Sequence, residues 1–188
     1  MTAMTTRELL VSAALILLEE EGEARFSTRA VCERVGVTAP TLYHHFGTAD
    51  GLLSAAVDAA FGEYLARKRS LIVSDDPVRA LAEGWDDYVA FARERPRLYS
   101  AMIARLLQGG AIPAAAQGRA LLILRLYAVA DKHRIGLAVE EAADVIWASA
   151  HAAAMLHAVG RHPPDESVIA ALREAAFGAI MSAEREQS

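Results

Sequence analysis

Cysteine is nearly absent from this chain: Cys32 stands alone among 188 residues. A single thiol cannot close an internal disulfide, so the fold must rest on its core, and the composition suits a reducing cytoplasm. Excess positive charge is also missing. The formal net charge is −5, which excludes a generic polyanion binder and requires any nucleic-acid contact to come from a local surface. Long charge-free apolar runs are lacking. Leu9 to Leu18 (LLVSAALILL) follows Arg7 as a signal-peptide core would, but Glu8 lies at its edge and Glu19, Glu20 and Glu21 follow it, with no small-residue cleavage site. Its ten residues are too few to span a bilayer, so no membrane partner is expected. No segment alternates Val, Ile or aromatics with polar residues, which excludes half-buried strands and leaves an all-α protein. Motifs of catalysis are missing as well. There is no HExxH, His151 and His157 are six apart rather than one helical turn, and no glycine-rich loop could cradle a phosphate. Ser100 and Ser149 lack a partner pattern, and Cys32 falls inside a helix as a buried, inert thiol. No metal, no cofactor and no enzymatic activity are therefore expected.

What is present is apolar and helical. Hydrophobic residues make up 54% of the chain, much of it Ala. Thr5 and Glu8 form a capping box that opens a first helix, whose apolar face includes Leu9, Leu10, Ala13, Ala14 and Leu17, and Gly22 closes it. Ser27 or Thr28 caps a second helix that carries Val31 and Val35 inward. Gly36 suits a left-handed turn, Thr38 caps a third helix with Pro40 in its first turn, and Leu42 and Phe46 face the core. Thr48 caps a fourth helix extending to about Leu71, with Asp50 near its start. Asp75-Asp76-Pro77 opens a fifth helix carrying Leu81, Trp85, Tyr88, Val89 and Ala92; Pro96 ends it, and a shorter helix covers Leu98 to Leu107. Gly109-Gly110, Gly136 and the Gly160 to Pro164 loop then separate helices over Pro113 to His133, Val139 to Val159 and Asp165 to Ala183. The total is about nine. The last two are apolar over more than one face, which points to a subunit interface of four-helix type; the plainer reading is that they complete the monomer's own core.

Residues Ser27 to Leu53 have a distinctive layout. Two short helices flank Gly36, and the second presents Thr41-Leu42-Tyr43-His44-His45. This is the pattern of a helix-turn-helix, which sets one short helix into the major groove of DNA. Gly36-Val37-Thr38, Thr41 to Phe46 and Leu52-Leu53, in that order and spacing, resemble the N-terminal DNA-binding domain of the tetracycline-repressor (TetR) family over about residues 8 to 55. Trp85 to Met102 and Trp147-Ala-Ser-Ala-His151 resemble the C-terminal type named Trp-His-Gly, with Ala152 where that pattern has Gly. A second departure is Ala49, where family members carry a Lys that anchors a phosphate; backbone amides at a helix N-terminus can still hold an anion. The resemblance implies a helix-turn-helix domain over 1–48, joined by helix four to a ligand-sensing and dimerisation domain over 49–188.

Charge is uneven across the first fifty residues, which hold four Arg and seven acids. From Arg25 to Asp50 the count is three Arg against two acids, with His44 and His45 beside them. Phosphate contacts are assigned to Thr28, Arg29, Tyr43, His44 and Thr48, and base contacts to Thr38, Ala39, Pro40 and Thr41. No Arg, Asn or Gln lies on the recognition helix, so part of the specificity falls to DNA shape. Trp85, Tyr88, Phe91, Tyr99, Met102, Trp147, His151 and Met155 are candidates for an apolar ligand pocket, with ordinary core packing as the plain alternative. Ala153, Leu156, Ile169, Leu172, Ala176 and Ile180 are candidates for a homodimer interface. The expectation is a ligand-responsive regulator, a repressor released from a palindromic operator in double-stranded DNA by a small, largely apolar effector. The alternative, motivated by Ala49 and the acidic balance, is a helical ligand- or partner-binding protein without DNA binding.

Overall fold

The computed structural model describes residues 4–70, 74–159 and 163–181. Among these residues the chain forms nine α-helices, one 3-10 turn and no strand. The helices are α1 (Thr6–Glu21), α2 (Thr28–Val35), α3 (Ala39–Phe46), α4 (Ala49–Ser70), α5 (Pro77–Glu94), α6 (Pro96–Leu107), α7 (Pro113–Lys132), α8 (Val139–Val159) and α9 (Glu166–Met181), with the 3-10 turn at Glu23–Arg25. Leu71, the loop residues Gly160 to His162 and the expected end of the last helix at Ala183 lie outside the described residues. No described helix is long and apolar enough to cross a membrane.

Packing divides the chain into two compact units. One comprises Met1–Ser70 with Arg97–Ala115, the other Leu71–Pro96 with Ala116–Ser188. Residue 48 is therefore not a packing boundary: α4 packs on α1, and α6 belongs to the same unit as α1 to α4. The reason lies in α4, whose Leu52, Leu53, Ala56, Val57, Ala60 and Phe61 are all buried, more than a single stripe would need.

The first unit is organised by α1. Its capping box is formed, with the Thr5 amide donating to Glu8 Oε2 at 2.7 Å and the Glu8 amide donating to Thr5 Oγ1 at 3.3 Å. The bond to the Thr5 backbone, followed by that to its side chain, lowers the pKa of the Glu8 carboxyl. Leu10, Ala13, Ala14, Leu17 and Leu18 of α1 share a core with Val31 and Cys32 of α2, Leu42 of α3, and Leu52 and Ala56 of α4. Ser27 Oγ caps α2 by accepting from the Ala30 amide. Gly36 ends α2 at φ 76° and ψ 34°, where a Cβ would be strained. From α6, Arg97 donates to the carbonyls of Glu19 and Glu20, satisfying free carbonyls at the end of α1.

In the second unit, α8 packs against both α5 and α9. Leu81, Trp85 and Val89 of α5 meet Leu126 and Val129 of α7, Ala142, Ala143, Ile146, Ala150 and Ala153 of α8, and Ala176 and Ile180 of α9. Alanines on α8 allow close helix approach, and large residues from its neighbours fill the space. Asp76 caps α5 by accepting from the Val78 amide at 3.0 Å, with Pro77 in the first turn.

The corner between α3 and α4 is tight. A Cβ built on Gly51 would lie 2.2 Å from the Phe46 carbonyl oxygen, a backbone atom that no rotamer change can move. Gly51→Ala is expected to cost about 1–3 kcal/mol through overpacking, and urea unfolding of the variant beside the wild type measures it.

Candidate nucleic-acid interface and ligand cleft

The helix-turn-helix is held from beneath and left open above. Leu42 is fully buried and Phe46 packs against the same core, so α3 is anchored along one side. The residues around that anchor face outward. Thr38, Ala39, Pro40, His44 and Thr48 are exposed, Thr28 and Thr41 are half-buried, and Tyr43 is 44% exposed. All nine sequence candidates for DNA contact therefore reach solvent, Arg29 among them. Thr38 was expected to cap α3 with its side chain. It occupies the cap position without a capping bond, and its Oγ1 instead lies 3.1 Å from Thr41 Oγ1. Thr48 does cap α4, accepting from the Gly51 amide at 2.9 Å. Arg29 pairs with Glu33 at 2.8 Å with both side chains well exposed, an interaction too weak to prevent exchange for a phosphate. The amides of Ala49 and Asp50 carry no hydrogen bond among the described residues, which leaves donors at the start of α4.

The ligand candidates fall in both units. Tyr99 and Met102 are buried in the first unit, and the other six belong to the second. Trp85 and Phe91 are each 3% exposed, and the Trp85 indole donates to Ser149 Oγ at 2.9 Å, which in turn donates to the Ile146 carbonyl. This settles the polar edge of Trp85 inside the core and gives Ser149 a structural partner that the sequence did not reveal. Tyr88 and Met155 are half-buried. Trp147 is 43% exposed and stacks on His151, with centroids 5.1 Å apart and planes inclined by 7°.

A cleft of about 720 Å³ does exist in the second unit. Trp85, Asp86, Val89, Ala90 and Arg93 line it from α5, His157 from α8, Glu166, Ile169, Ala170 and Arg173 from α9, and Pro163 and Pro164 from the preceding loop. Trp85 is the one sequence candidate among them. Arg173 grips Asp86 with contacts of 2.6 and 2.7 Å, and burial together with the nearby Arg93 lowers the pKa of His157. Charged residues between apolar helix faces read as solvated surface in a sequence, which is why the cleft was missed.

The interface candidates lie mostly on the inner faces of their helices. Ala153, Ala176 and Ile180 are buried in the unit's own core, Ile169 and Leu172 pack against that core, and of the six only Leu156 stands exposed. The outward apolar stripe is a different set: Trp147, Ala148, Ala152, Leu156 and Val159 on α8, and Val168, Ala171, Ala175, Gly178 and Ala179 on α9. Both helices are apolar on two faces, and the sequence reading chose the inner one. No group of three potential metal ligands gathers among the described residues.

This arrangement defines a class: an all-helical protein with an N-terminal helix-turn-helix. Residues 10–56 match the family model for bacterial regulatory proteins, tetR family. An HTH-type transcriptional regulator of Saccharopolyspora erythraea is 34% identical over 95 residues, covering 50% of this chain and 36% of that protein. The class D tetracycline repressor protein of Escherichia coli is 34% identical over 87 residues, covering 46% and 36%. The match thus spans little more than a third of these relatives' length. Among solved structures, a Rhodococcus sp. RHA1 protein of unknown function superposes with a TM-score of 0.76 at 20% identity, covering 96% of this chain and 97% of its own. RolR in complex with resorcinol gives 0.71 at 20% identity, covering 95% and 89%. At such identities the superpositions establish the fold. Residues 10–56 thus carry the similarity to bacterial regulatory proteins of the tetR family, and the named relatives are transcriptional regulators.

His151 supplies a pH test. Partial burial lowers its pKa below the ordinary histidine value of 6.5. The unfolded state then binds more protons than the folded state as pH falls through 6.5, so the stability contribution present above that value is lost below it. The melting temperature should drop between pH 7 and pH 5.5, and His151→Phe, which keeps an aromatic ring beside Trp147, should show a smaller drop.

Proposed function

We propose that this chain is a homodimeric, ligand-responsive DNA-binding regulator, acting as a repressor released from a palindromic operator by a small effector. One observation carries the DNA part: α3 is anchored through the buried Leu42 while Thr38, Ala39, Pro40, Tyr43 and His44 around it face solvent. A helix held this way can enter a major groove without disturbing its own core. Thr28, Arg29, Tyr43, His44 and Thr48 would hold phosphates, and Thr38 to Thr41 would meet base edges and thymine methyls. In function, DNA reading falls within residues 1–48, and sensing and dimerisation within 49–188, although α4 and α6 pack with the reading helices. The Trp85–Met102 and Trp147–His151 segments support a C-terminal part of the Trp-His-Gly type.

A second copy is the occupant assigned to the outward face of α8 and α9. The stripe from Trp147 to Val159 and from Val168 to Ala179 carries no charged residue at the named positions. The chain has a single recognition helix, whereas a palindrome offers half-sites about 34 Å apart that demand two. The α5–α8–α9 cleft is the candidate effector site, with apolar walls from Trp85, Val89 and Ile169 and polar tips from Arg93, His157 and the Asp86–Arg173 pair. RolR, which shares the fold, is bound to resorcinol in its structure, and that supports an effector of comparable size. An effector changes operator affinity by no more than its preference between the DNA-competent and incompetent forms.

The second reading, a helical binding protein without affinity for DNA, rests on Ala49 and on the acids of the N-terminal region. A gel-shift titration against the chain's own upstream intergenic DNA and a random duplex, at two salt concentrations, separates the two. Salt-dependent preference for the upstream DNA supports the regulator, and no binding to either duplex at low salt supports the second reading. Thr41→Ala and Tyr43→Ala should each weaken operator binding by roughly 1–3 kcal/mol in a folded protein; unchanged affinity would remove them from the interface. Ala175→Arg should yield a folded monomer by light scattering, with helical circular dichroism retained, whereas a persisting dimer would place the interface elsewhere.

A further inference from the structure

Arg105 of α6 is 7% exposed, and its guanidinium is shared between two acids. One terminal nitrogen donates to Asp50 Oδ1 at 2.7 Å and the other to Glu23 Oε1 at 2.5 Å, while Nε has no partner. All three residues lie in the first unit. A buried cation needs compensating charge, and here it takes it from two carboxylates on separate elements, the 3-10 turn and the first turn of α4. Glu23 is one-third exposed and Asp50 is 80% exposed. Asp50 stands two residues after Thr48, at the end of α4 where a DNA phosphate would approach. Left alone, its carboxylate would repel that phosphate, at a position where this chain has Ala49 and no cation of its own.

We propose that Arg105, from the opposite part of the sequence, is a positioning residue for DNA binding: it pins Asp50 and Glu23 and cancels charge beside the phosphate-facing end of α4. The cluster keeps one net negative charge rather than two. The inference rests on the reading that the first unit binds DNA.

The test uses the full chain and a fluorescently labelled 20-base-pair duplex (a stated probe, not the natural operator), with anisotropy titrations at low salt and thermal melts of each variant. The charge argument orders the variants. Arg105→Met leaves two uncompensated acids and should bind roughly five- to tenfold more weakly, the size of one screened like-charge contact. Asp50→Asn should bind more tightly than wild type. The double variant restores the wild-type net charge and should return to near wild-type affinity, even though it lacks the ion pair. A merely structural role predicts something different: Asp50→Asn would loosen Arg105 and weaken binding, and the double variant would not recover. That pattern, or affinities that do not follow the charge order, overturns the proposal. If Arg105→Met does not fold, Asp50→Asn alone decides, since tighter binding supports the proposal and equal or weaker binding refutes it. A wild-type chain that does not bind the duplex at all would sink the DNA reading itself, and this inference with it.

Discussion

A recognition helix must be exposed, and exposure removes what normally stabilises a helix. Here α3 has eight residues, well short of the roughly 12–15 at which an isolated helix becomes even marginal in water. Its stability therefore comes from outside. Leu42 is its buried contribution, and it sinks into a core supplied by α1, α2 and α4. Gly36 turns the chain into α3, and Gly51 lets α4 leave within contact distance of the Phe46 carbonyl. Tyr43 and His44 on its outer face stay exposed to solvent, where a partner could meet them.

The same unit solves an electrostatic difficulty. Its first fifty residues are net acidic, an awkward composition for meeting a phosphate backbone. The acids are not left to act together. Glu20 is paired with Arg34, Glu33 with Arg29, and Glu23 and Asp50 with Arg105. The exposed pairs add little stability. Arg105 differs in being buried, so its charge is screened less by salt than those of its exposed counterparts.

Much of the first unit was legible in the sequence because its signals are local. Caps, the left-handed Gly36 and the spacing of Leu42 from Phe46 each depend on a few neighbouring residues, and the helix ends fell within a few positions of those expected. The nine DNA candidates came from the helix-turn-helix pattern and the resemblance, and all but the half-buried Thr28 and Thr41 stand exposed. What could not be read depends on contacts distant in sequence. Arg105 meets Glu23 and Asp50 across 82 and 55 positions, and nothing local marks an arginine as buried. Which faces of α8 and α9 turn inward was hidden for another reason. Alanine is small enough for a packed core and apolar enough for an interface, so Ala153 and Ala152 look equivalent in sequence although the first is buried and the second exposed. Periodicity identifies a face, but not which of two apolar faces turns inward.

The path of the chain explains how α6 comes to complete the first unit. α5 lines the cleft with Trp85, Asp86, Val89, Ala90 and Arg93. It ends at Glu94, and α6 begins at Pro96, with Arg95 alone between them. Arg95 ends α5 in a non-helical conformation, at φ −130° and ψ 59°. A connection of one residue followed by proline has little slack, since proline fixes its own φ and restricts the residue before it. Directly beyond it stand Arg97, on the carbonyls at the end of α1, and, two turns further along the same helix, Arg105 on Glu23 and Asp50. One helix, α6, therefore reaches both the end of α1 and the start of α4, so the first unit is completed by a segment far from its other helices in sequence.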